Sequence, residues 1–170
     1  MKTKYFNNLL LFSLFGIALG FFGILYEGIV YGPKFLDTSM ERMLFWKNFT
    51  TIISPLAYYT PWVGLATFTL VVLYFMTSKQ SILLKNRLKW ASIFQILSLA
   101  ITLYILTQIN FKQSFGDIQK YTDAIPGKTV LFNILSVIRI VFTAIALANL
   151  FKGYILTQTN QPELKSLISK

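Results

Sequence analysis

Residues 5–26 read YFNNLLLFSLFGIALGFFGILY and contain no charged side chain. An α-helix needs about 20 consecutive apolar residues to cross the hydrocarbon core of a bilayer. Three further stretches have the same character, because residues 48–78 and 90–111 carry no charge and residues 129–151 carry only Arg139. We therefore predict four transmembrane helices, at approximately 8–31, 52–77, 88–109 and 129–151.

The composition of the chain agrees with four membrane spans. Of its 170 residues, 55% are hydrophobic and 13% are charged, whereas about 25% of the residues in a typical soluble domain are charged. A soluble domain of this size could not bury so much apolar surface, but lipid can cover it. The sequence therefore predicts an all-α integral membrane protein, with residues 1–170 forming a single membrane domain, an antiparallel four-helix bundle.

The distribution of basic residues predicts the orientation of the bundle. Cytoplasmic loops are enriched in lysine and arginine, and short loops count most. One side of the predicted bundle holds nine of these residues and the other side holds six, diluted by four acidic residues. Four of the nine lie in the short connection at residues 78–89. We therefore expect this connection and both termini to lie inside, in a multi-pass protein of the cell membrane, and we expect that membrane to be a bacterial inner membrane.

The chain contains no cysteine and no histidine. Their absence removes thiolate nucleophiles, the usual general base of enzymes and the commonest zinc ligands. We therefore expect neither a metal nor a cofactor. The formal net charge of +10 falls mostly in loops and tails, where it favours contacts with membrane lipid over nucleic-acid binding.

One face of the first helix carries small residues and then a carboxylate. At about 100° per residue, Gly16, Gly20, Gly23 and Glu27 fall within one sector. Glycines on one face allow another helix to approach closely. The partner could lie within the bundle, or in a second copy of the chain if the protein is a homodimer.

The other three helices each carry a polar or small stripe, which we expect to face the bundle interior. These stripes are Thr60, Gly64 and Thr67 on the second helix, Gln95, Ser98 and Thr102 on the third, and Ser136, Arg139, Thr143 and Ala146 on the fourth. Near the start of the second helix, Tyr58, Tyr59 and Trp62 indicate an interfacial aromatic belt rather than a stacking site.

Glu27 and Arg139 are the charges that lie well inside the apolar stretches, and their signs are opposite. A charge at bilayer depth costs a few kcal/mol, so such residues usually face the interior and find partners. The predicted depths of the two residues are within reach of an arginine side chain. They could form a buried ion pair that fixes the helix register, or line a polar pocket that binds a ligand. Alternatively, Glu27 could extend alone to the outer interface.

Short motifs resemble a known family. In the first half, Tyr26-Glu27 and Gly32-Pro33 end the first helix, and Leu44-Phe45-Trp46-Lys47-Asn48-Phe49 leads to Ser54-Pro55. In the second half, Thr107-Gln108-Ile109-Asn110 closes the third helix, and Asn133 to Arg139 open the fourth. In these motifs the chain resembles the anthrone-oxygenase-like family of small four-span membrane proteins, which are mostly of unknown function.

The resemblance implies a four-helix bundle with Asn110, Asn133 and Arg139 as its polar positions. It also implies a link to cofactor-free oxygenation of polycyclic anthrones to quinones, an activity of a minority of such proteins. Because this chain has no histidine, a mechanism that needs an imidazole base is in doubt here.

Three functions are compatible with these patterns. The first is binding of an apolar or quinone-like small molecule, or a lipid, between the helices; the candidate ligand-binding residues are Glu27, Arg139, Tyr26, Asn110, Asn133 and Ser136. If the protein is an enzyme, Glu27 would act as a base and Arg139 would stabilise developing negative charge. The second is a non-enzymatic subunit or partner-binding bundle, locked by a Glu27–Arg139 ion pair. The third is a small transporter acting as a dimer.

Overall fold

The chain is described by a computed structural model that covers residues 2–31, 55–77, 81–109 and 125–159, with the isolated residues 39, 41, 44, 45 and 48. Its helices are α1 (Lys2–Tyr26), α2 (Pro55–Met76), α3 (Ile82–Tyr104) and α4 (Ile125–Thr159). α1 continues as a π-helical turn at Glu27–Tyr31, and α3 continues as another at residues 105–109. Four helical segments are long and apolar enough to cross a membrane, and the described residues contain no strand. The predicted all-α membrane fold is confirmed, whereas the inside placement of the termini and the choice of membrane stay predictions.

Three of the helices extend beyond the predicted spans. α1 begins at Lys2 and α3 at Ile82, and α4 runs from Ile125 to Thr159. The predicted bounds followed the apolar stretches, which report the thickness of the hydrocarbon. A helix does not end where the hydrocarbon ends. At about 1.5 Å per residue α4 is about 52 Å long, so its ends extend past a hydrocarbon core of about 30 Å.

Buried residues recur in alternating steps of four and three along every helix. On α4 they are Thr129, Phe132, Ser136, Arg139, Thr143, Ala146, Leu150 and Gly153, and on α1 they are Phe6, Leu10, Ser13, Ile17, Gly20, Ile24 and Glu27. This spacing averages 3.5 residues, which is less than the 3.6 of a straight helix, so the buried seam drifts unless the helices coil around one another. The helices therefore pack in the manner of a left-handed bundle.

The outward faces of the helices carry large apolar side chains. Phe15 is 67% exposed, Phe68 69% and Val137 61%. A water-soluble protein rarely exposes apolar surface on all sides, whereas a helix in lipid does so everywhere that it does not meet another helix. The outer surface therefore supports the membrane location independently of the length of the helices.

The glycines of α1 face α2. In order, Gly16, Gly20 and Gly23 lie against Ala66, Val63 and Tyr59. A Cβ atom added to Gly20 would lie only 2.5 Å from Cγ2 of Val63, so the two helices are closer than a larger residue would permit. The glycine face is thus used within the chain. A homodimer stays a prediction.

The four helices associate unevenly. Packing is most extensive between α3 and α4 and between α1 and α2. The contact between α2 and α3 is the smallest among the adjacent pairs of α-helices. The bundle therefore consists of two closely packed pairs of helices. The seam between α2 and α3 is the least extensively packed of its seams.

The interior is apolar toward both ends, with a small cluster of Ile105, Ile109 and Phe132 at one end and a larger cluster at the other. Buried leucines, including Leu10, Leu70, Leu88 and Leu150, pack together in one cluster. The basic residues of α3 lie at this end, where Arg87 donates from Nη1 to the Asn149 Oδ1 atom at 3.2 Å. The polar side chains described below lie between the two clusters.

Candidate functional site

Glu27 lies at the point where α1 changes from an α-helix to a π-helical turn. Such turns are rare, and they are frequent at functional sites. Glu27 continues the heptad face that carries the three glycines, so its side chain lies in the interior and is 7% exposed. The outward extension of Glu27 to the interface, one of the alternatives from the sequence, does not occur.

Glu27 and Arg139 form an ion pair. The Arg139 Nη2 atom donates to the Glu27 Oε2 atom at 2.6 Å, and Arg139 is 1% exposed. Arg139 lies near the middle of α4, so the pair joins the first and last helices of the bundle. At this depth each charge is the main reason that the other is tolerated.

Tyr59 and Thr102 complete the surroundings of the pair. The Tyr59 hydroxyl donates to the Glu27 Oε1 atom, and the Arg139 Nη1 atom donates to the Thr102 Oγ1 atom at 3.4 Å. These two residues come from α2 and α3. Together with Glu27 and Arg139 they form what we call the polar centre, to which each of the four helical segments contributes one side chain.

A second layer of hydroxyls lies beside the polar centre. The Ser98 and Thr143 hydroxyls lie 2.7 Å apart and share a hydrogen bond between α3 and α4. Thr143 also donates to the Arg139 carbonyl oxygen at 2.9 Å. This layer fixes the register of α3 against the turn of α4 that holds Arg139, so it positions the arginine rather than contacting the carboxylate.

Several buried polar atoms near the polar centre lack a hydrogen-bond partner among the described residues. They are Arg139 Nε, Ser136 Oγ, Thr60 Oγ1 and Gln95 Oε1. Buried polar groups in proteins are nearly always paired, either with protein or with water. An unpaired set next to a membrane-buried ion pair is therefore a candidate position for a water molecule or a ligand.

A crevice between α2 and α3 is lined by two of the residues that hold these atoms, Thr60 and Gln95. It is lined by Tyr59, Thr60, Gln95, Ser98, Thr102 and the apolar residues Ile24, Val63 and Leu99. The crevice is only partly enclosed, and a volume of about 20 Å³ within it is available to the centre of a water molecule. One water molecule needs about 10–15 Å³ on this measure. The crevice as it stands accommodates a water molecule or a hydroxyl group but not an aromatic ring.

The predicted site residues fall into three groups. Glu27 and Arg139 meet, and Ser136 lies one helical turn from Arg139 with its hydroxyl buried and unpartnered among the described residues. Tyr26 is 50% exposed, so about half of its side chain lies on the surface of α1. Asn133 is half-buried, about 9 Å along α4 from Arg139 at 1.5 Å per residue. Asn110 lies outside the described residues.

Tyr59 is the residue that sequence reasoning misplaced. It was predicted to belong to an interfacial belt, but it is 5% exposed and binds Glu27. Trp62, from the same cluster, is 52% exposed as a belt residue would be. The tyrosine lies on the buried heptad face of α2 and the tryptophan does not, so the heptad pattern was the signal that could have separated them. Thr102 and Gln95 were recognised only as members of a polar stripe.

Comparison of the chain with protein families, with curated proteins and with solved structures found no match. The resemblance to the anthrone-oxygenase-like family therefore stays a prediction. Within the described residues no group of three acidic side chains could hold a metal ion.

Proposed function

We propose that the protein binds an apolar molecule with a polar end, either a lipid or a quinone-like compound, between its helices beside the Glu27–Arg139 pair. The observation that carries this proposal is the crevice next to the polar centre, which is partly open and is lined by Thr60 and Gln95, two residues with a buried polar atom that has no partner among the described residues. Leaving such atoms unpaired costs free energy. A ligand that supplies the missing partners recovers it.

The dimensions of the crevice indicate how such a molecule would lie. Only its polar end fits among the polar side chains, because the available volume is that of one small group. The apolar remainder would follow the seam between α2 and α3 toward the lipid. Ligand pockets commonly have this character, with an apolar lining and a few polar groups that fix the orientation.

Acid–base chemistry at Glu27 has less support from the geometry. A general base must be within hydrogen-bond reach of the substrate proton. Both carboxylate oxygens of Glu27 already accept hydrogen bonds, from Arg139 and Tyr59. The family resemblance implies oxygenation of an anthrone. We propose this reaction only on the condition that binding brings the substrate to the Glu27–Arg139 pair.

A pair of matched compounds tests the proposal. Anthrone and 9,10-dihydroanthracene have nearly the same ring system, but only anthrone has an oxygen. We expect anthrone to raise the thermal unfolding midpoint of the detergent-solubilised protein by about 2–4 °C at a concentration well above its Kd, measured by circular dichroism at 222 nm. Dihydroanthracene should have less than half this effect. Equal shifts, or no shift with anthrone, would contradict the proposal.

A second candidate is a non-enzymatic membrane bundle, acting as a subunit or a partner-binding protein, in which the ion pair is only a lock. The closed geometry of the pair, at 2.6 Å, favours it. Under this candidate anthrone leaves the unfolding midpoint unchanged, and removal of the two charges affects stability alone. Transport by a dimer stays a prediction that no contact within the described residues favours.

A further inference from the structure

We infer that the lipid-facing side of the seam between α3 and α4, at the basic end of the bundle, binds an anionic phospholipid. Arg87 and Lys152 bind its headgroup phosphate, and aromatic side chains below them lie beside its acyl chains. This site is separate from the crevice between α2 and α3 and does not depend on the proposed function.

Arg87 is held in place by an uncharged partner. Its Nη1 atom donates to the Asn149 Oδ1 atom at 3.2 Å, and the Asn149 Nδ2 atom donates in turn to the Ile145 carbonyl oxygen at 2.9 Å. An asparagine that is anchored to its own helix orients the guanidinium without neutralising it. A guanidinium has five N–H donors in a planar fork that matches the geometry of a phosphate. Its donors beyond this one bond are therefore available to an anion.

Lys152 supplies a second cation on the same side of the seam. It lies three residues after Asn149 on α4, and side chains three residues apart are neighbours on a helix surface. The two helices are close here, because a Cβ atom added to Gly153 would lie 3.7 Å from the Arg87 Cβ atom. Lys152 is exposed. Asn149 therefore lies between two cations, one from each helix.

The positive charge at this end of the bundle is not balanced within the described part of the chain. The basic side chains there form no ion pair with any described residue; they are Lys4, Lys85, Arg87, Lys89 and Lys152. The Glu27 carboxylate is bound to Arg139 instead. An anionic partner from outside the described residues complements this charge, and at a membrane surface such anions are phospholipid headgroups.

Aromatic rings lie below Arg87 on the same side of the seam. Phe94 follows Arg87 by seven residues on α3, and Phe142 precedes Asn149 by seven residues on α4. Each phenylalanine is therefore about 10 Å deeper on the same face of its helix. The two rings are in contact, with centroids 5.6 Å apart. Trp90 lies between the two levels; it is 49% exposed, and its ring centroid is 6.0 Å from that of Phe94.

This arrangement matches the dimensions of a phospholipid. Headgroups occupy about 5–7 Å on each side of the hydrocarbon core. A ring about 10 Å below Arg87 thus lies level with the start of the acyl chains when the guanidinium binds the phosphate. Tryptophan at the level between them is typical of the interface. The cations select an anionic headgroup, and the rings provide an apolar surface that inorganic phosphate cannot use, so the ligand is a lipid.

Quenching of Trp90 fluorescence tests the inference on the full chain in phosphatidylcholine nanodiscs. Trp46→Phe and Trp62→Phe leave Trp90 as the single tryptophan. Phosphatidylglycerol or phosphatidylcholine, brominated in the same acyl chains, is included at the same mole fraction. We expect brominated phosphatidylglycerol to occupy the position beside Trp90 with at least about fivefold preference. Equal quenching by the two lipids would overturn the inference.

Charge-removing variants locate the site. Arg87→Gln and Lys152→Gln should each lower the preference by at least about half, and either is decisive if the other fails to fold. Lys85→Gln is the matched control, because it removes the same charge two residues from Arg87. The Lys85 Nζ atom lies 5.9 Å from the ring centroid of Tyr74 on α2, so this lysine faces the other seam. Lys85→Gln should keep the preference. An equal loss in Lys85→Gln would mean that only the general positive potential acts, and would overturn the inference.

Inorganic phosphate distinguishes a lipid from a free anion at the same cations. Added phosphate should change the preference no more than sodium chloride of the same ionic strength, because it gains nothing from the aromatic rings. Loss of the preference in phosphate alone would show that the site binds a free anion, and would overturn the assignment to a phospholipid.

Discussion

Arg139 illustrates how much of this molecule is organised around one residue. A guanidinium near the middle of a membrane span is expensive, and here it is 1% exposed. Its cost is offset by the Glu27 carboxylate and the Thr102 hydroxyl, which both bind the guanidinium. The remaining donor, Nε, has no partner among the described residues. The arginine therefore fixes the relative depth of α4 and of the end of α1.

A double-mutant cycle should show coupling between the two charges. Glu27→Gln leaves Arg139 buried without a counter-charge, and Arg139→Gln does the reverse. Breaking a buried pair on one side costs about 3–5 kcal/mol, whereas removing both charges can be nearly neutral. We expect the double variant to be more stable than the sum of the single losses, by more than about 1 kcal/mol, in denaturant titrations of the detergent-solubilised protein.

The cycle also separates the two functional candidates. Additive losses would mean that the two side chains do not interact in the folded protein. This result would contradict the distance of 2.6 Å between Arg139 Nη2 and Glu27 Oε2. A stable double variant that no longer responds to anthrone would show that the charges are needed for the ligand. An unaltered response in that variant would leave the pair a structural role only.

Among the elements, α1 and α2 approach each other closely along the glycine face of α1. A Cβ atom on Gly16 would collide with that of Ala66, which has no other rotamer to adopt. Gly64, by contrast, has no atom of the described residues within 4 Å of the position of a Cβ atom. It was predicted to share an interior stripe with Thr60 and Thr67, and that prediction is wrong for Gly64. The buried heptad of α2 passes through Tyr59, Val63 and Ala66 instead.

The two glycines therefore provide a matched comparison. Gly16→Ala should destabilise the protein by about 1–3 kcal/mol, because the backbones must separate. Gly64→Ala should be neutral or stabilising, by up to about 1 kcal/mol, since alanine is the better helix former and space is free. Thermal and denaturant unfolding in one detergent would measure both. Equal effects of the two substitutions would mean that α1 and α2 do not approach closely at Gly16.

On the scale of the whole molecule, the polar centre lies between two apolar clusters. The leucine cluster closes one end, and the smaller cluster of Ile105, Ile109 and Phe132 lies toward the other. Lys85, Arg87 and Lys89 lie at the closed end of α3, and Lys152 lies near them, since Gly153 packs against the turn of Leu84 to Leu88. No acidic residue occurs in 81–109 or 125–159. This concentration of positive charge is the one expected at a cytoplasmic membrane surface.

Labelling of introduced cysteines tests this orientation, and the chain has none to remove. Ser81→Cys lies at the basic end and should resist a membrane-impermeant thiol reagent in intact cells. Ser114→Cys, in the connection outside the described residues, should react. Lysed cells provide the control, because both positions should then be labelled. The opposite pattern in intact cells would show that the protein is inserted the other way around.

The membrane fold was predictable from the sequence because it depends on local properties. Each charge-free stretch is long enough to cross the bilayer by itself, and a backbone in lipid must satisfy its hydrogen bonds within the helix. The interior position of Glu27 and Arg139 followed from the same reasoning, since a charge in an apolar span must avoid lipid. None of these conclusions requires knowledge of which helices are neighbours.

The composition of the site was decided by the tertiary structure. A stripe on a helix shows which side is polar, but not its rotation or depth relative to the other helices. Tyr59 reaches Glu27, and Gly64 faces no other helix, because the heptad seam sets the rotation of α2. The crevice at Gln95 exists because α2 and α3 pack less extensively than the other neighbouring α-helices. Distances between helices are properties of pairs of surfaces, and no single stretch of sequence contains them.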